Sequence, residues 1–508
     1  MHLQIVIAFA LLLWWPDGAP AEALVTRTST VLAIVWATPL VLAVAGQFLA
    51  SIARARLAKP GGASAGMSVF HRGLLVLRLA ALGALAGHLL LTTWPQILGH
   101  ALAQVPVIHW IPGLTQLGIT VPYLLSLAAL WWVLYPLEQF GRESPPARPR
   151  TSRWRYVVFN FRHQVLIVAL PLGIIVVAYA ATRDYRAALV SATGSKWAPE
   201  ALLGAVAVAI FIFSPVLLRR VWATSRLPDG PLRTKLLNLC DRIHLNVREI
   251  LVWHSDGMMV NAAVMGLFPR VRYILLSDTL LTAMTDEEIE AVFGHEAGHV
   301  RHRHIPYFLL FALISMLVAA GVIELLARTC RGPGAAFPLS DDVIQMLGIA
   351  SVIPIWGIGF GWVSRRFERQ ADVFGAACAS PPANGTACRI PCTVHDGPPP
   401  ATAAALCATG AQIFVNALFK VALLNGIPVA ERSWRHSSIA ARMRFLTALG
   451  GDPMMARRFG RCVRGIKLAL VLLAAGGLTL AGLYLWQNPG YRREIVTSVL
   501  DPIRHWLR

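Results

Sequence analysis

Two histidines four residues apart, His295 and His299, enclose Glu296 in the pattern H-E-x-x-H. On a helix that spacing puts both imidazoles on one face, within reach of a single metal ion. The carboxylate between them then stands where it can take a proton from water. Two imidazoles leave a catalytic zinc site one ligand short, because such sites combine three protein ligands with an open position. Glu368 is the candidate third donor, and Asp372, four residues on, shares its helix face. Asp372 suits a supporting role. It can accept a hydrogen bond from the free ring N–H of a coordinating histidine, which fixes its tautomer. A plainer alternative makes both acids surface groups paired with Arg365, Arg366 and Arg369. Similarly, His302 and His304 could extend the first motif into a merely His-rich helix.

The elements that must position these groups are legible nearby. Thr285 and Glu288 form a capping box, so a helix should begin there. Ile289, Val292 and Phe293 supply its apolar stripe. Upstream, 261–266 reads either as an edge strand able to pair with an extended peptide or as an ordinary core strand.

The rest of the chain is unlike a soluble enzyme. Of 508 residues, 56% are hydrophobic and 14% charged, against about 25% charged in soluble domains. The apolar residues form blocks long enough to cross a bilayer as helices, at roughly 31–52, 73–95, 115–137, 164–181, 201–218, 306–326, 343–363 and 467–486. A shorter block at 3–15 precedes Ala19-Pro20-Ala21, and reads as either a cleaved leader (1–21) or a ninth span. The net charge of +20 comes from arginines beside the apolar blocks. This is the pattern of cytoplasmic flanks facing anionic lipid, and no motif supports nucleic-acid binding. Placing the basic loops inside puts 219–305 and 364–466 on the cytoplasmic side; 182–200, with Arg183, Arg186 and Lys196, fits least well. Arg78 and His88 within the second span read as packing groups. The expected order is a membrane region over 1–224, a domain carrying the metal motif in two parts (225–305 and 364–450) split by a two-span insertion at 306–363, and a basic segment with a final span over 451–508. Four of the seven cysteines, Cys378, Cys388, Cys392 and Cys407, crowd a Pro/Ala/Gly-rich insertion at 377–410. With His395 they could form a second, structural zinc site, or be incidental thiols of a reduced loop.

Several segments, in order, resemble the integral-membrane zinc metallopeptidases that include the CAAX prenyl proteases and the HtpX-like quality-control proteases. Asn261-Ala262-Ala263-Val264-Met265-Gly266 resembles the family's N-A-F-x-x-G strand, and 276–281 resembles the lead into the zinc helix. His295 to His299 matches the zinc motif, and 364–372 matches S-R-x-x-E-x-x-A-D. Trp434-Arg435-His436-Ser437-Ser438-Ile439 with Arg442 resembles the H-P-S segment and its following arginine. Alanine replaces the usual aromatic after Asn261, and Ser437 replaces the proline. The resemblance covers about 250–310 and 355–450. It implies a mainly α, polytopic membrane protein carrying a cytoplasmic zincin-like domain with a small β-sheet. It further implies one catalytic zinc on His295, His299 and Glu368, Glu296 as general base then acid, His436 stabilising an oxyanion, and Asn261, Ala262 and Arg442 binding substrate. The implied partners are a peptide or membrane-protein substrate and the bilayer. A signalling receptor with a metallopeptidase domain is the alternative, and a silent scaffold fits the intact motif less well.

Overall fold

The computed structural model of the chain describes residues 2–14, 23–59, 63–106, 111–140, 152–330, 337–380, 406–450 and 452–490. The chain forms two compact units, Met1–Ala223 and Thr224–Thr497.

The first unit is helical. Its long apolar blocks satisfy their backbone internally, the requirement for crossing lipid. Five of its helical segments, Thr28–Leu57, Ala65–Leu91, Leu114–Glu138, Arg153–Asp184 and Ala198–Val221, are long and apolar enough to span. The 13-residue helix His2–Trp14 covers about 20 Å, short of a ~30 Å hydrocarbon core. It buries Ile5, Ala8, Phe9 and Leu12, and Phe9 packs near Gly173. The segment 19–21 lies outside the described residues. His88 is buried and its Nε2 lies 3.1 Å from Thr38 Oγ1, a packing contact between helices.

The second unit combines membrane-length helices with a small α/β domain. His304–Cys330, Val343–Cys378 and Met454–Gln487 complete the eight expected spans; the chain is a multi-pass integral membrane protein. A further helix of spanning length, Ala408–Asn425, differs in kind. Its mean hydropathy is lower, at 1.2, and Phe414, Ala417 and Leu418 bury into the domain core. Its apolarity therefore serves packing. The sheet has four strands, β1 (Thr224–Arg226), β2 (Glu249–Trp253), β3 (Ala262–Met265) and β4 (Tyr273–Ser277), in the order β1-β2-β4-β3. β2 and β4 run parallel, while β1 and β3 pair antiparallel at the two edges. Tyr273–Ser277 is buried throughout, as a central strand covered on both faces should be. Ile274 and Leu276 pack with Ile289, Phe293, Ala297, Phe414 and Leu446 from the helices above.

Candidate metal centre

Two helices build the centre. The first, Asp286–Arg301, starts at the expected capping box: Glu288 N–H donates to Thr285 Oγ1 and Thr285 N–H donates to Glu288 Oε2, at 3.3 and 2.9 Å. Lys420 Nζ secures Glu288 from the helix Ala408–Asn425, 2.7 Å away. The second, Gly361–Cys378, lies against it at glycines. A Cβ on Gly375 would sit 2.6 Å from Ala291 O and 2.8 Å from His295 N, and one on Gly298 would sit 3.2 Å from Ala371 Cα. Only hydrogen at these positions lets the two backbones approach this closely.

That approach brings His295, His299 and Glu368 together, with one donor atom of each within 4.8 Å of the others. His295 Nε2 and His299 Nε2 are 3.3 Å apart, and each lies 3.7 Å from a Glu368 oxygen. Tetrahedral zinc, with bonds of about 2.0–2.1 Å, requires donor separations of roughly 3.3 Å. The ring orientations fit as well. His295 Nδ1 lies 2.9 Å from Asp372 Oδ1, and His299 Nδ1 lies 3.0 Å from His304 Nδ1. With an acceptor beside each Nδ1 behind the rings, two Nε2 lone pairs and a carboxylate face one point, an arrangement that a cation stabilises. Among the described residues it is the one cluster of this kind.

Glu296 stands beside the three donors. Its Oε2 accepts from Val264 N–H at 3.1 Å, so the edge strand aims it. Burial pushes its carboxyl up to about 7; His295 works against the shift and Glu368 adds to it. Burial pushes His299 down to about 4, keeping that imidazole neutral. For His295 burial opposes protonation, but Asp372 raises the group above its ordinary value. His436 is half-exposed, and its Nδ1 lies 3.0 Å from Glu368 Oε2. Its loop is fixed by Trp434, whose Nε1 donates to Gly357 O at 2.6 Å and whose carbonyl accepts from Arg365 at 2.8 Å. Ser437 has φ +66°, which proline cannot adopt. The departure from H-P-S thus has a backbone counterpart.

Other expected site residues are placed differently. Arg442 turns to Asp372 rather than toward an open groove. Its Nε donates to Oδ2 at 2.9 Å and its Nη2 to Oδ1, and despite burial Asp372 holds the guanidinium firmly charged. Ala262 buries its methyl in the core, and Asn261 is tied to Ser277 through its backbone N–H and C=O. Because the Asn261 carbonyl faces β4, alternation turns the peptide groups of Ala262 and Val264 to the open edge. Cys388, Cys392 and His395 lie outside the described residues. Cys378 is a buried free thiol, and Cys407 caps the helix Ala408–Asn425.

His304, which the sequence marks only as part of a His-rich stretch, and Gln370, which no pattern marks, complete the centre. His304 Nε2 lies 3.0 Å from Gln370 Oε1, and its ring stacks on Phe367 with centroids 4.5 Å apart. A consistent proton order runs from His299 Nδ1–H to His304 Nδ1, and from His304 Nε2–H to Gln370 Oε1. Arg303, at φ +56°, folds the chain back so that His304 reaches His299.

Residues 227–399 match Peptidase family M48. That stretch takes in His295, Glu296, His299 and Glu368. Among curated relatives, it is 29% identical over 188 residues to a CAAX prenyl protease 1 homolog of Arabidopsis thaliana, covering 35% of this chain and 43% of that protein. It is 26% identical over 166 residues to a Protease HtpX homolog of Archaeoglobus fulgidus, covering 33% and 47%. Another HtpX homolog, from Thermoplasma acidophilum, is 32% identical over 139 residues, covering 27% and 44%. The chain thus spans a little under half the length of the curated relatives it matches. The crystal structure of S. mikatae Ste24p superposes with a TM-score of 0.46 at 16% identity, covering 81% of this chain and 98% of that one.

Proposed function

We propose that the protein is a membrane-embedded, zinc-dependent endopeptidase acting on peptides or membrane proteins. The reading is carried by the convergence of His295, His299 and Glu368 beside a fourth group, Glu296, that is aimed by a backbone N–H. The three donors would hold the ion. When bound, zinc supplies Lewis acidity, which polarises a carbonyl and acidifies water. Glu296 takes the proton of the attacking water and returns it to the departing amine. As an imidazolium, His436 would give its Nδ1–H to Glu368 and donate its Nε2–H to the carbonyl oxygen as negative charge develops there. Asp372, clamped by Arg442, holds the His295 ring in the tautomer that leaves Nε2 for the metal.

A substrate strand would pair with the open edge of β3 through the peptide groups of Ala262 and the Val264 carbonyl. Ala262 therefore contributes by backbone position, while Asn261, tied to Ser277, fixes the strand that presents it; pairing through backbone predicts modest side-chain selectivity. A pocket of about 400 Å³ beside His299, walled by Leu267, Phe268, Val300 and Ile305, suits an apolar substrate side chain. We place the peptidase domain on the cytoplasmic side from the arginine-rich loops, with its two parts at 225–305 and 364–450. The receptor alternative draws no support from the relatives, which are named as proteases.

The test is casein cleavage by detergent-purified full-length protein, with chelation and zinc return. Activity should vanish on chelation, return with zinc, and be absent from Glu296→Gln. Cleavage that persists at wild-type rate in Glu296→Gln would refute the reading.

A further inference from the structure

A second concavity, apart from the three metal donors, lies in the second unit. It measures about 700 Å³ and is lined by Arg457, Arg461, Arg464 and Lys467 on one wall and by His302 and Gln370 on another. The three arginines recur at i, i+4 and i+7 of the helix Pro453–Gln487, so they share a face. All three are exposed, and none makes an ion pair or side-chain hydrogen bond among the described residues. Lys467 is held in place: its Nζ donates to His302 O at 2.8 Å and lies over the rings of Tyr307 and Phe367. Four like charges around one hollow repel one another, and an anion seated among them removes that cost.

The depth of the hollow indicates which anion. The lipid-facing band of the same helix begins directly after Lys467, with Leu468, Leu472 and Leu473 each more than half exposed. At 1.5 Å per residue, Arg464 and Arg461 stand about 6 and 10 Å of helix before that band. This is where the phosphates of a bilayer lie, and long arginine side chains reach them readily. The guanidinium fork suits two phosphate oxygens, and an ammonium adds a point charge. Free phosphate offers the same chemistry at the mouth, but only a lipid continues as acyl chains along the leucines below.

We propose that this pocket seats the phosphate of an anionic phospholipid headgroup, bound by Arg457, Arg461, Arg464 and Lys467.

The proposal is tested on the full-length protein in a neutral detergent, with retained lipid counted by native mass spectrometry and thermal unfolding followed in parallel. The probes are phosphatidylglycerol, phosphatidylcholine, inorganic phosphate and an acidic decapeptide. Phosphatidylglycerol should bind and raise the unfolding temperature, while the other three should not at equal concentration. Each arginine near the headgroup layer is worth roughly fivefold in affinity. Arg464→Gln should therefore weaken phosphatidylglycerol binding about fivefold, and Arg457→Gln/Arg461→Gln/Arg464→Gln about 100-fold. Arg458→Gln, one residue off the face, should leave it unchanged. Equal stabilisation by phosphatidylcholine, or undiminished binding by the triple variant, overturns the proposal. An equal shift with inorganic phosphate assigns the pocket to a soluble anion, and an equal shift with the peptide assigns it to substrate; either also overturns it.

Discussion

Gly375→Ala tests whether the metal centre depends on the close approach of its two helices. The added Cβ would sit 2.6 Å from Ala291 O and 2.8 Å from His295 N. Ordinary contact begins near 3.4 Å, so the helices must part by roughly 0.8 Å. Neither neighbour can yield alone, since both are helical backbone. Metal–ligand distances tolerate about 0.2 Å, so a shift about four times larger pulls Glu368 away from the two imidazoles. Overpacking of this kind costs about 1–3 kcal/mol of stability. Zinc affinity should fall by roughly 100-fold or more, beyond the usual effect of losing one supporting contact. Gly298→Ala, whose Cβ would meet Ala371 Cα at 3.2 Å, needs only a few tenths of an ångström and should show a smaller loss in the same direction. Gly465→Ala, whose Cβ would meet nothing within 4 Å, should be neutral or stabilise by up to about 1 kcal/mol. The assay is chelator-competition titration of zinc on all three variants, with thermal unfolding alongside. Wild-type zinc affinity in Gly375→Ala would refute the dependence on close helix packing.

Three further outcomes follow from the same geometry. His304→Leu removes the acceptor behind His299 and should lower zinc affinity about 10–100-fold, while His304→Asn, which keeps an acceptor oxygen there, should recover most of it; equal affinities in the two variants would contradict the assigned proton order. Ser437→Gly relieves a left-handed backbone and should stabilise by about 1 kcal/mol, whereas Ser437→Pro should displace His436 and impair cleavage, checked by unfolding and by kcat; a fully active Ser437→Pro would count against the loop geometry. At pH 6 zinc binding should release the proton of His295, which is raised, but none from His299, which burial has pushed down to about 4. Glu296, at about 7 in the absence of the ion, should release up to one more as the incoming positive charge favours its carboxylate. Calorimetry in buffers of different ionisation enthalpy measures the release, and Glu296→Gln should lower it by up to one proton; an unchanged count would rule out that source.

Much of this arrangement is legible in the residues alone. His295, Glu296 and His299 stand out because helical spacing converts sequence distance directly into a shared face, and the Thr285–Glu288 box marks where the helix starts. Glu368 and Asp372 follow from the same four-residue rule. The eight long spans are legible because lipid demands unbroken apolar helices. Pattern reading ends where tertiary contact takes over. The apolarity of Ala408–Asn425 resembles a span until its buried face is seen to belong to the domain core. Arg442 has no local partner; its contact with Asp372 joins residues 70 positions apart. The role of His304 is hidden because Arg303 takes a left-handed turn with no glycine or asparagine to signal it. Whether 261–266 is an edge or a core strand depends on the long-range pairing of β3 with β4, which no short window contains.

The most direct measurement is the metal content of purified wild type, Glu296→Gln and Glu368→Ala by elemental mass spectrometry. One tightly held zinc per chain is expected in wild type and in Glu296→Gln, and little or none in Glu368→Ala. Wild type without zinc, or Glu368→Ala holding it as firmly as wild type, would contradict the assignment of the centre.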